Sequence, residues 1–403
     1  MKKSKNTFVK RRHKFFFAIA RPIARAIAWK YHFKTKAQKL KKGEQYFIIS
    51  NHQGLFDPVF VAISFKAPVY FVASDMMFST KWYSKLLRFA FAPVKKRKSE
   101  LDINCIRTVR NIVREGGSVG MFPEANRCWC DFQFNIDKSI CKMVRMLKLP
   151  LVLYNLHGCY GTNPRWSDEV RKGESYGGPK KIISWEEICE MDDDALYEEI
   201  VSNLKVIDSD SGKTYKSKKR AEDLERMLFV CPKCGAYSTL HSHGTTIECE
   251  NCHLEVEYGE DLRPHSNDEH FKFEKMVDWY KFQLESVKNH AIVPNQTIFV
   301  DENVELWDQS TLKHVLLHKG EMTLDDKNLR LGKFAFPLDS FTSATCVGGR
   351  KLIVNVESKS YIIIGGAKFN PIKYLLFFNV LCKQIAEKGG DEFYGLSIDD
   401  ANC

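Results

Sequence analysis

The first 43 residues of this 403-residue chain contain no acidic residue, and nowhere does the chain hold eighteen consecutive apolar residues. The missing apolar run excludes an ordinary membrane-spanning helix, which needs about 20 such residues. Fifteen of the 61 lysines and arginines lie in the acid-free segment, so the rest of the chain has 46 basic against 50 acidic residues. A basic arm on a mildly acidic body is typical of an electrostatic anchor, whereas a nucleic-acid enzyme usually carries its positive charge on the folded domain.

The chain has 13 cysteines, which are too few for a disulfide scaffold of this length and cannot all be paired, since their number is odd. No secretory cleavage pattern follows the short apolar stretch 15–20, and we therefore expect a reducing cytosolic compartment. With 44% hydrophobic and 28% charged residues the chain can bury a core and is not disordered. Its length predicts two or three folded domains.

The basic segment 1–45 shows the spacing of an amphipathic helix. Its apolar stripe consists of Phe16, Ala20, Ile23 and Ile27, and the opposite cations are Lys14, Arg21 and Arg25. Because such a helix buries its apolar side chains at the headgroup boundary, we expect a peripheral protein on the cytoplasmic face of a membrane with anionic lipid. Pro22 predicts that the regular helix starts there and runs to Tyr31. The alternative is an ordinary surface helix with a solvated basic tail.

Short apolar runs with strand composition alternate with helical patterns over the next part of the chain, which predicts an α/β unit. Runs at 46–50, 68–72, 118–122 and 151–156 predict strands, and 103–113, 141–147 and 186–204 predict helices. Later, short strands follow one another from 295, with a hairpin turn at Gly348-Gly349 and a final helix over 371–387. The predicted regions are an arm (1–45), an α/β domain (46–205), a linker (206–229), a cysteine-bearing segment (230–260), a β-rich domain (270–388) and a tail (389–403).

The stretch Asn51 to Pro58 combines a histidine and an aspartate five residues apart. Proline suits the first position of a helix and aspartate is a good N-cap, so we expect a helix from Pro58 and a turn that brings His52 back to Asp57. A carboxylate on one imidazole nitrogen fixes the tautomer and leaves the other nitrogen as a base.

A second group, Phe122-Pro123-Glu124-Ala125-Asn126-Arg127, follows a predicted strand, where α/β folds place ligands. The sequence here resembles the glycerolipid acyltransferases, the 1-acyl-sn-glycerol-3-phosphate O-acyltransferase-like family. That family's N-H-x-x-x-x-D motif is matched by Asn51, His52 and Asp57, and its F-P-E-G-x-R motif is matched at 122–124 and Arg127. The resemblance covers residues 45–205.

The resemblance implies an O-acyltransferase of phospholipid biosynthesis that moves an acyl group from acyl-CoA or acyl carrier protein to a lysophosphatidate or related lysophospholipid hydroxyl. His52 would be the general base, oriented by Asp57, and backbone N–H groups near the helix start would hold the oxyanion. The substrate-binding residues it implies are Asn51, Lys96, Arg97, Glu124 and Arg127, with Lys96 and Arg97 left as alternatives for one phosphate contact. No redox cofactor is needed. An inactive lipid-binding scaffold is the alternative.

Two Cys-x-x-Cys pairs with fourteen residues between them predict a structural zinc ribbon. The ligands are Cys231, Cys234, Cys249 and Cys252. Histidines 241, 243 and 253 are interpreted as surface residues. Five glutamates surround the ribbon and would repel phosphates, so we expect no nucleic acid as partner, although a nucleic-acid-associated zinc-ribbon protein is the second alternative.

The predicted fold class is therefore an α/β acyltransferase domain with a mixed sheet flanked by helices, then a small zinc ribbon and a C-terminal β-rich domain. The order of strands followed by one helix in that last domain is similar in outline to PH-like domains.

Overall fold

The computed structural model describes residues 8–36, 43–74, 89–96, 102–124, 126–291, 293–309 and 314–387. The implied phosphate contact Arg97, the motif position Ala125 and the tail 389–403 lie outside these ranges. The chain folds as two compact units. The first unit comprises Met1–Cys128, Gln133–Thr162 and Lys172–Ser211, and the second comprises Trp129–Phe132, Asn163–Arg171 and Gly212–Cys403. No sequence pattern indicates that two short segments inside the α/β region belong to the second unit.

The first unit alternates helices and strands as predicted. Its helices are α1 (Arg11–Lys30), α2 (Asp57–Ile63), α3 (Ile103–Arg114), α4 (Ser139–Leu147), α5 (Cys159–Thr162), α6 (Trp185–Glu190) and α7 (Asp193–Leu204). Its strands are β1 (Phe33–Thr35), β2 (Phe47–Ser50), β3 (Val69–Ser74), β4 (Val94–Lys96), β5 (Ser118–Met121), β6 (Leu151–His157) and β7 (Ser175–Ile183).

These seven strands form one sheet in the order β1-β7-β6-β2-β5-β3-β4. All neighbours are parallel except β6 and β7, so the predicted mixed sheet is confirmed. The sheet is covered on both faces. Val109, Val144 and Ile200 from α3, α4 and α7 are fully buried on one face, and Phe60 from α2 and Ala28 from α1 are buried on the other. Since β2, β5 and β6 are adjacent and parallel, their carboxyl ends meet at one edge.

Helix α1 differs from its prediction in its first residue and in which side chains it exposes. It is continuous through Pro22, which lies on the exposed side, rather than starting there. Phe17 and Ala28 are buried, while the outward face carries the apolar side chains of Phe15, Ile19, Ile23 and Trp29, which are 52–83% exposed. Lys14 and Arg25 are exposed, but Arg21 is half-buried and bound within the unit. No helix within the described part of the chain has the length and hydropathy needed to cross a bilayer.

The predicted acidic helix at 186–204 is two helices, α6 and α7. Ser184 and Glu187 form a capping box at the start of α6, and the Asp192 carboxylate accepts the N–H of Ala195 to cap α7. A second strong N-cap inside an acidic run therefore breaks the helix where hydrophobic spacing alone predicts one element.

The second unit contains two antiparallel sheets. The smaller consists of β8 (Leu240–His243), β9 (Thr246–Cys249), β10 (Glu255–Tyr258) and β11 (Pro264–His265), in the order β11-β10-β9-β8. After α8 (Met276–Lys288) come β12 (Phe299–Asp308), β13 (Val315–Leu324), β14 (Asn328–Leu331), β15 (Phe334–Pro337), β16 (Phe341–Val347), β17 (Lys351–Val356), β18 (Lys359–Ile364) and α9 (Pro371–Glu387).

The larger sheet has the order β15-β14-β13-β12-β18-β17-β16, and α9 packs against β16 and β17. The predicted hairpin is present, with Gly348 at a φ of +64° in the turn between β16 and β17. Leu375 and Phe378, predicted to share one face of the final helix, are fully buried. The β-rich C-terminal region is thus confirmed, and its PH-like character stays a prediction.

The segment 206–229, predicted as a linker, is not an open connection. Tyr215, Leu224 and Met227 are 0–1% exposed, and Tyr215 donates its N–H to the carbonyl of Glu260 at 2.7 Å. Apolar residues spaced among the lysines bury residues 212–229 in the second unit, whereas 206–211 belong to the first; the charge run alone predicts an exposed linker.

Candidate active site and metal centre

The histidine and aspartate that follow β2 are in direct contact. Nδ1 of His52 lies 2.9 Å from Oδ2 of Asp57. The Asp57 side chain is fully buried, and the His52 side chain is 18% exposed. A carboxylate acceptor on Nδ1 places the proton there, so Nε2 is the ring nitrogen with basic character. The predicted turn is therefore confirmed.

The same carboxylate oxygen organises the turn between the two residues. Oδ2 of Asp57 accepts the backbone N–H of Gln53 at 2.7 Å and of Gly54 at 2.8 Å. The helix begins at Asp57 itself, with Phe56 as the cap residue, because the carboxylate turns back to these N–H groups and does not cap its own helix. Two of the N–H groups near the helix start are thus used by Asp57.

Gly54 is a site residue that the motif analysis missed. A Cβ added to it would lie 2.9 Å from Oδ1 of Asp57, which is closer than side-chain carbons normally approach. The glycine between His52 and Asp57 in the sequence was the available signal, because a close approach of backbone to a functional group requires glycine.

His52 is held from two further directions. Its ring stacks on Phe122 with centroids 4.4 Å apart, and its backbone N–H donates to Oε1 of Glu124 at 2.9 Å. The other carboxylate oxygen of Glu124 accepts the N–H of Phe134 at 3.1 Å. Because β2 and β5 are adjacent and parallel, residues 72 positions apart in sequence meet at the same edge of the sheet.

Glu124 is 6% exposed, and burial raises its pKa to about 8 although the two N–H donors oppose the shift. The resemblance implied that Glu124 binds the acceptor. In this geometry both of its oxygens accept backbone N–H groups, and one of those bonds fixes the residue that carries the imidazole.

Asn51 has a similar structural position. Its side-chain NH₂ donates to the carbonyl of Leu156 at 2.9 Å, and its Oδ1 accepts the N–H of Leu156 at 2.8 Å. This pair of bonds ties the end of β2 to β6, and Asn51 is 3% exposed. Both of its polar groups already bind backbone. Its contact with substrate stays a prediction.

The cations implied as phosphate ligands are only partly described. Arg127 lies close enough to Asp57 and Tyr31 for their charges to interact, and burial lowers its pKa. The N–H of the next residue, Cys128, donates to the carbonyl of His52 at 3.2 Å, which brings this loop to the histidine. Lys96 ends the edge strand β4 and is exposed, while Arg97 lies outside the described residues.

The four predicted zinc ligands in the second unit come together. The Sγ atoms of Cys231, Cys234, Cys249 and Cys252 all lie within 4.8 Å of one another. Cys231 and Cys252 are 3.6 Å apart at sulfur, and Cys234 and Cys249 are 3.8 Å apart. Four sulfurs about 2.3 Å from one tetrahedral ion would be separated by about 3.8 Å, so the residues fit a tetrahedral metal ion.

Both Cys-x-x-Cys turns have the same backbone geometry. The N–H of Gly235 donates to the carbonyl of Cys231, and the N–H of His253 donates to the carbonyl of Cys249, both at 2.9 Å. Gly235 and His253 both have positive φ, +72° and +54°. His253 and His241 lie next to Glu248 and Glu250, in keeping with their interpretation as surface residues.

Residues 31–153, which are 123 of the 403 residues, match the family model described as Acyltransferase. The family resemblance inferred from the two motifs is therefore confirmed for this region, which includes His52, Asp57, Glu124 and Arg127. Among solved structures, the chain is similar to the crystal structure of the 1-acyl-sn-glycerophosphate (LPA) acyltransferase PlsC from Thermotoga maritima. The identity is 15% and the TM-score 0.41, over 48% of this chain and 78% of that one. No curated protein gives a significant match.

Proposed function

We propose that this protein transfers a fatty acyl group from acyl-CoA or acyl carrier protein to the hydroxyl of lysophosphatidate or a related lysophospholipid. The observation that carries the proposal is the 2.9 Å contact between His52 Nδ1 and a fully buried Asp57, at the edge of the sheet where a ligand can approach. The Acyltransferase match over residues 31–153 supports the reaction class.

In the proposed reaction, Nε2 of His52 takes the proton of the acceptor hydroxyl. The hydroxyl oxygen attacks the thioester carbonyl carbon, a C–O bond forms, and the C–S bond breaks. The imidazolium then returns its proton to the thiolate that leaves, so the enzyme is unchanged. Asp57 stabilises the imidazolium and holds the ring in place throughout.

The acceptor phosphate would be bound by cations of the same unit. Arg127 is the main candidate because its guanidinium can bind two phosphate oxygens at once and because its loop contacts His52 through Cys128. Lys96 and Arg97 remain alternatives for a second phosphate contact. Glu124 and Asn51 are assigned positioning roles, since both bind backbone groups at the ends of β2, β5 and β6.

The acceptor is a lipid, and we propose that the outward face of α1 contacts the lipid surface. Phe15, Ile19, Ile23 and Trp29 would enter the headgroup boundary, and the exposed cations Lys14 and Arg25 would interact with anionic lipid. Each cation close to such a surface contributes about 1 kcal/mol. The location is therefore peripheral. The four cysteines of the second unit would hold one zinc ion in a closed structural site, which leaves no position for substrate.

The proposed acyl transfer is tested by incubating the purified protein with acyl-CoA or acyl carrier protein that carries a labelled acyl group and with a panel of lysolipids. We expect ester product with a phosphate-bearing acceptor and a loss of at least about a hundredfold in kcat for His52→Ala, with the circular dichroism spectrum retained. Near-normal activity of His52→Ala would remove the proposed base. Lipid binding without product from any acceptor would favour an inactive scaffold.

The lipid surface is tested with Ile19→Glu and Ile23→Glu in sedimentation with vesicles that contain anionic lipid. We expect each substitution to shift protein from the pellet to the supernatant, because a charge replaces an apolar side chain at the headgroup boundary. The matched control is Val300→Glu in the second unit, since Val300 is as exposed as Ile19 (52% each). An equal shift with the control, or none with Ile19→Glu, would contradict this surface.

The nucleic-acid alternative is separated by filter binding across salt concentrations. Strong, salt-dependent retention of RNA or DNA would favour it, because phosphate contacts by lysine and arginine weaken steeply with salt. We expect no such retention.

A further inference from the structure

Arg21 projects from α1 toward the far end of the helix that carries Asp57. Its Nη1 donates to the carbonyl of Phe65 at 3.1 Å, and its Nη2 donates to the carbonyl of Ile63 at 3.1 Å. Ile63 is the last residue of α2, and Asp57 is the first. One guanidinium on α1 therefore binds carbonyls at the C-terminal end of the catalytic helix.

A helix as short as α2 depends on such contacts. Its seven residues form few internal hydrogen bonds, and isolated helices of this length are unstable in water. The last carbonyls of a helix have no partner within it and carry partial negative charge, which a cation at that end stabilises. Bonds from a charged donor are also stronger than bonds between neutral groups.

The other end of α2 also contacts α1. Tyr31, the C-cap residue of α1, has its ring centroid 5.0 Å from that of Phe56, which caps the start of α2, and 6.1 Å from Phe60. Contacts with α1 thus hold α2 at both ends. Arg21 binds its last residues, and Tyr31 packs on Phe56, the residue before Asp57.

We propose that Arg21 is a positioning residue for the catalytic pair: by binding the carbonyls of Ile63 and Phe65 it fixes α2 against α1 and so fixes Asp57 against His52. Arg21 does not touch substrate in this role, which rests on the proposed function for its catalytic consequence. The same contacts fix the His52–Asp57 pair relative to the outward face of α1, the proposed lipid surface.

Arg145 provides a matched control in the same unit. Its Nη1 donates to the carbonyl of Ile188 at 2.9 Å and its Nη2 to the carbonyl of Met191 at 2.6 Å, so it binds the C-terminal end of α6 as Arg21 binds that of α2. Helix α6 carries none of the proposed site residues. Arg145 also donates from Nε to the carboxylate of Asp193 at 2.7 Å, so Arg145→Ala removes the same kind of contact and one ion pair more, and leaves the site alone.

The test is an NMR titration of the His52 imidazole in full-length protein and in Arg21→Ala and Arg145→Ala, with His52→Ala to assign the signal. The titratable and charged groups near His52 are Asp57, Glu124 and Arg127. A loosened Asp57 stabilises the imidazolium less, so we expect Arg21→Ala to lower the pKa of His52 by about half a unit or more. Arg145→Ala should leave it within about a tenth of a unit.

Kinetics give a second readout. We expect Arg21→Ala to lower kcat about tenfold with KM within about twofold and to move the acidic limb of the kcat profile to lower pH, with Arg145→Ala unchanged in both. Arg21→Lys, which can reach one carbonyl, should lie between wild type and Arg21→Ala, and it replaces the alanine variant if that fails to fold.

Equal His52 titration in the two alanine variants would overturn the positioning role, and so would equal kcat where the wild-type protein acylates an acceptor. A selective change in titration in a protein that acylates no acceptor would uphold the positioning role and reject the proposed function, so the two failures are distinguishable.

Discussion

The first unit holds the His52–Asp57 pair and the second holds the four-cysteine cluster, and the two groups differ in what their side-chain atoms face. In the first unit, His52 keeps 18% of its side chain exposed above a fully buried Asp57. In the second, four sulfurs face one another within 4.8 Å, with Cys231 and Cys249 fully buried and Cys234 exposed. A histidine held by a carboxylate at one ring nitrogen has a second ring nitrogen that can act as a base, whereas four thiolates around one ion form a closed structural site. The difference separates catalysis from structure within one chain.

Removing one thiolate should have the largest effect, because it acts on folding. In Cys249→Ser we expect bound zinc to fall from about one ion per chain to near zero and the second unit to lose several kcal/mol of stability, since binding of a structural zinc drives folding of such ribbons. Metal analysis and thermal unfolding measure both.

The control is Cys189→Ser in the first unit, which replaces an exposed cysteine that is not part of the cluster. Full metal content in Cys249→Ser would contradict a four-thiolate site. A loss of metal in Cys189→Ser would mean that the effect is not specific to the cluster.

Gly54→Ala should impair the His52–Asp57 site and leave the four-cysteine site unchanged. The new Cβ would lie 2.9 Å from Oδ1 of Asp57, so the carboxylate must shift relative to His52. A displacement of about 1 Å in a catalytic group can cost about a hundredfold, and we expect kcat to fall between about tenfold and a hundredfold.

Gly366→Ala in the second unit is the matched control, because a Cβ there meets no atom within 4 Å. It should keep wild-type kcat. Unchanged kcat in Gly54→Ala would show that the carboxylate can move without consequence.

The Arg127→Ala substitution should weaken acceptor binding more than turnover. We expect the acceptor KM to rise about tenfold with a smaller change in kcat, because the guanidinium is proposed to bind phosphate oxygens. Arg127→Lys keeps the charge but cannot bind two phosphate oxygens at once, so its acceptor KM should lie between those of the wild type and Arg127→Ala. An unchanged KM in Arg127→Ala, measured over an acceptor concentration series, would remove Arg127 from the phosphate site.

Both clusters could be predicted because their spacing in sequence is short. His52 and Asp57 are five residues apart and each Cys-x-x-Cys pair is one turn, so local backbone geometry nearly determines the contact. The bonds from Glu124 to His52 and to Phe134 could not be predicted in this way. The bond that Glu124 accepts from His52 depends on β2 and β5 being neighbours in the sheet, and the bond that it accepts from Phe134 depends on the irregular loop after β5; the sequence patterns indicate neither.

The facing of α1 was predicted incorrectly for a related reason. Three consecutive phenylalanines, Phe15 to Phe17, allow several apolar stripes, and the choice among them depends on where α2 packs. Since Arg21 reaches the carbonyls at the end of α2, the helix is rotated so that Phe17 is buried and Phe15 is exposed. Arg21, which the helical pattern predicts to face lipid, therefore makes an internal contact.

The last prediction concerns Glu124 and the pH dependence of stability. Its carboxyl has a pKa of about 8 in the folded protein, well above its ordinary value of about 4.5. Between these values the folded state holds a proton that the unfolded state has lost. The stability contributed by the protonated form is therefore complete below about pH 4.5 and is lost as pH rises through about 8. The slope is at most about 1.4 kcal/mol per pH unit.

Glu124→Gln cannot ionise, so its free energy of unfolding should lack this decline, although its amide matches only one of the two N–H donors and lowers stability throughout. Urea unfolding of both proteins at intervals from pH 5 to pH 8 measures the difference in slope. Because the closed cluster of the second unit is unchanged, the change in slope belongs to the first unit alone. Parallel curves for the two proteins would mean that Glu124 is ionised in the folded protein across this range, and His52 would then be held by a charged carboxylate.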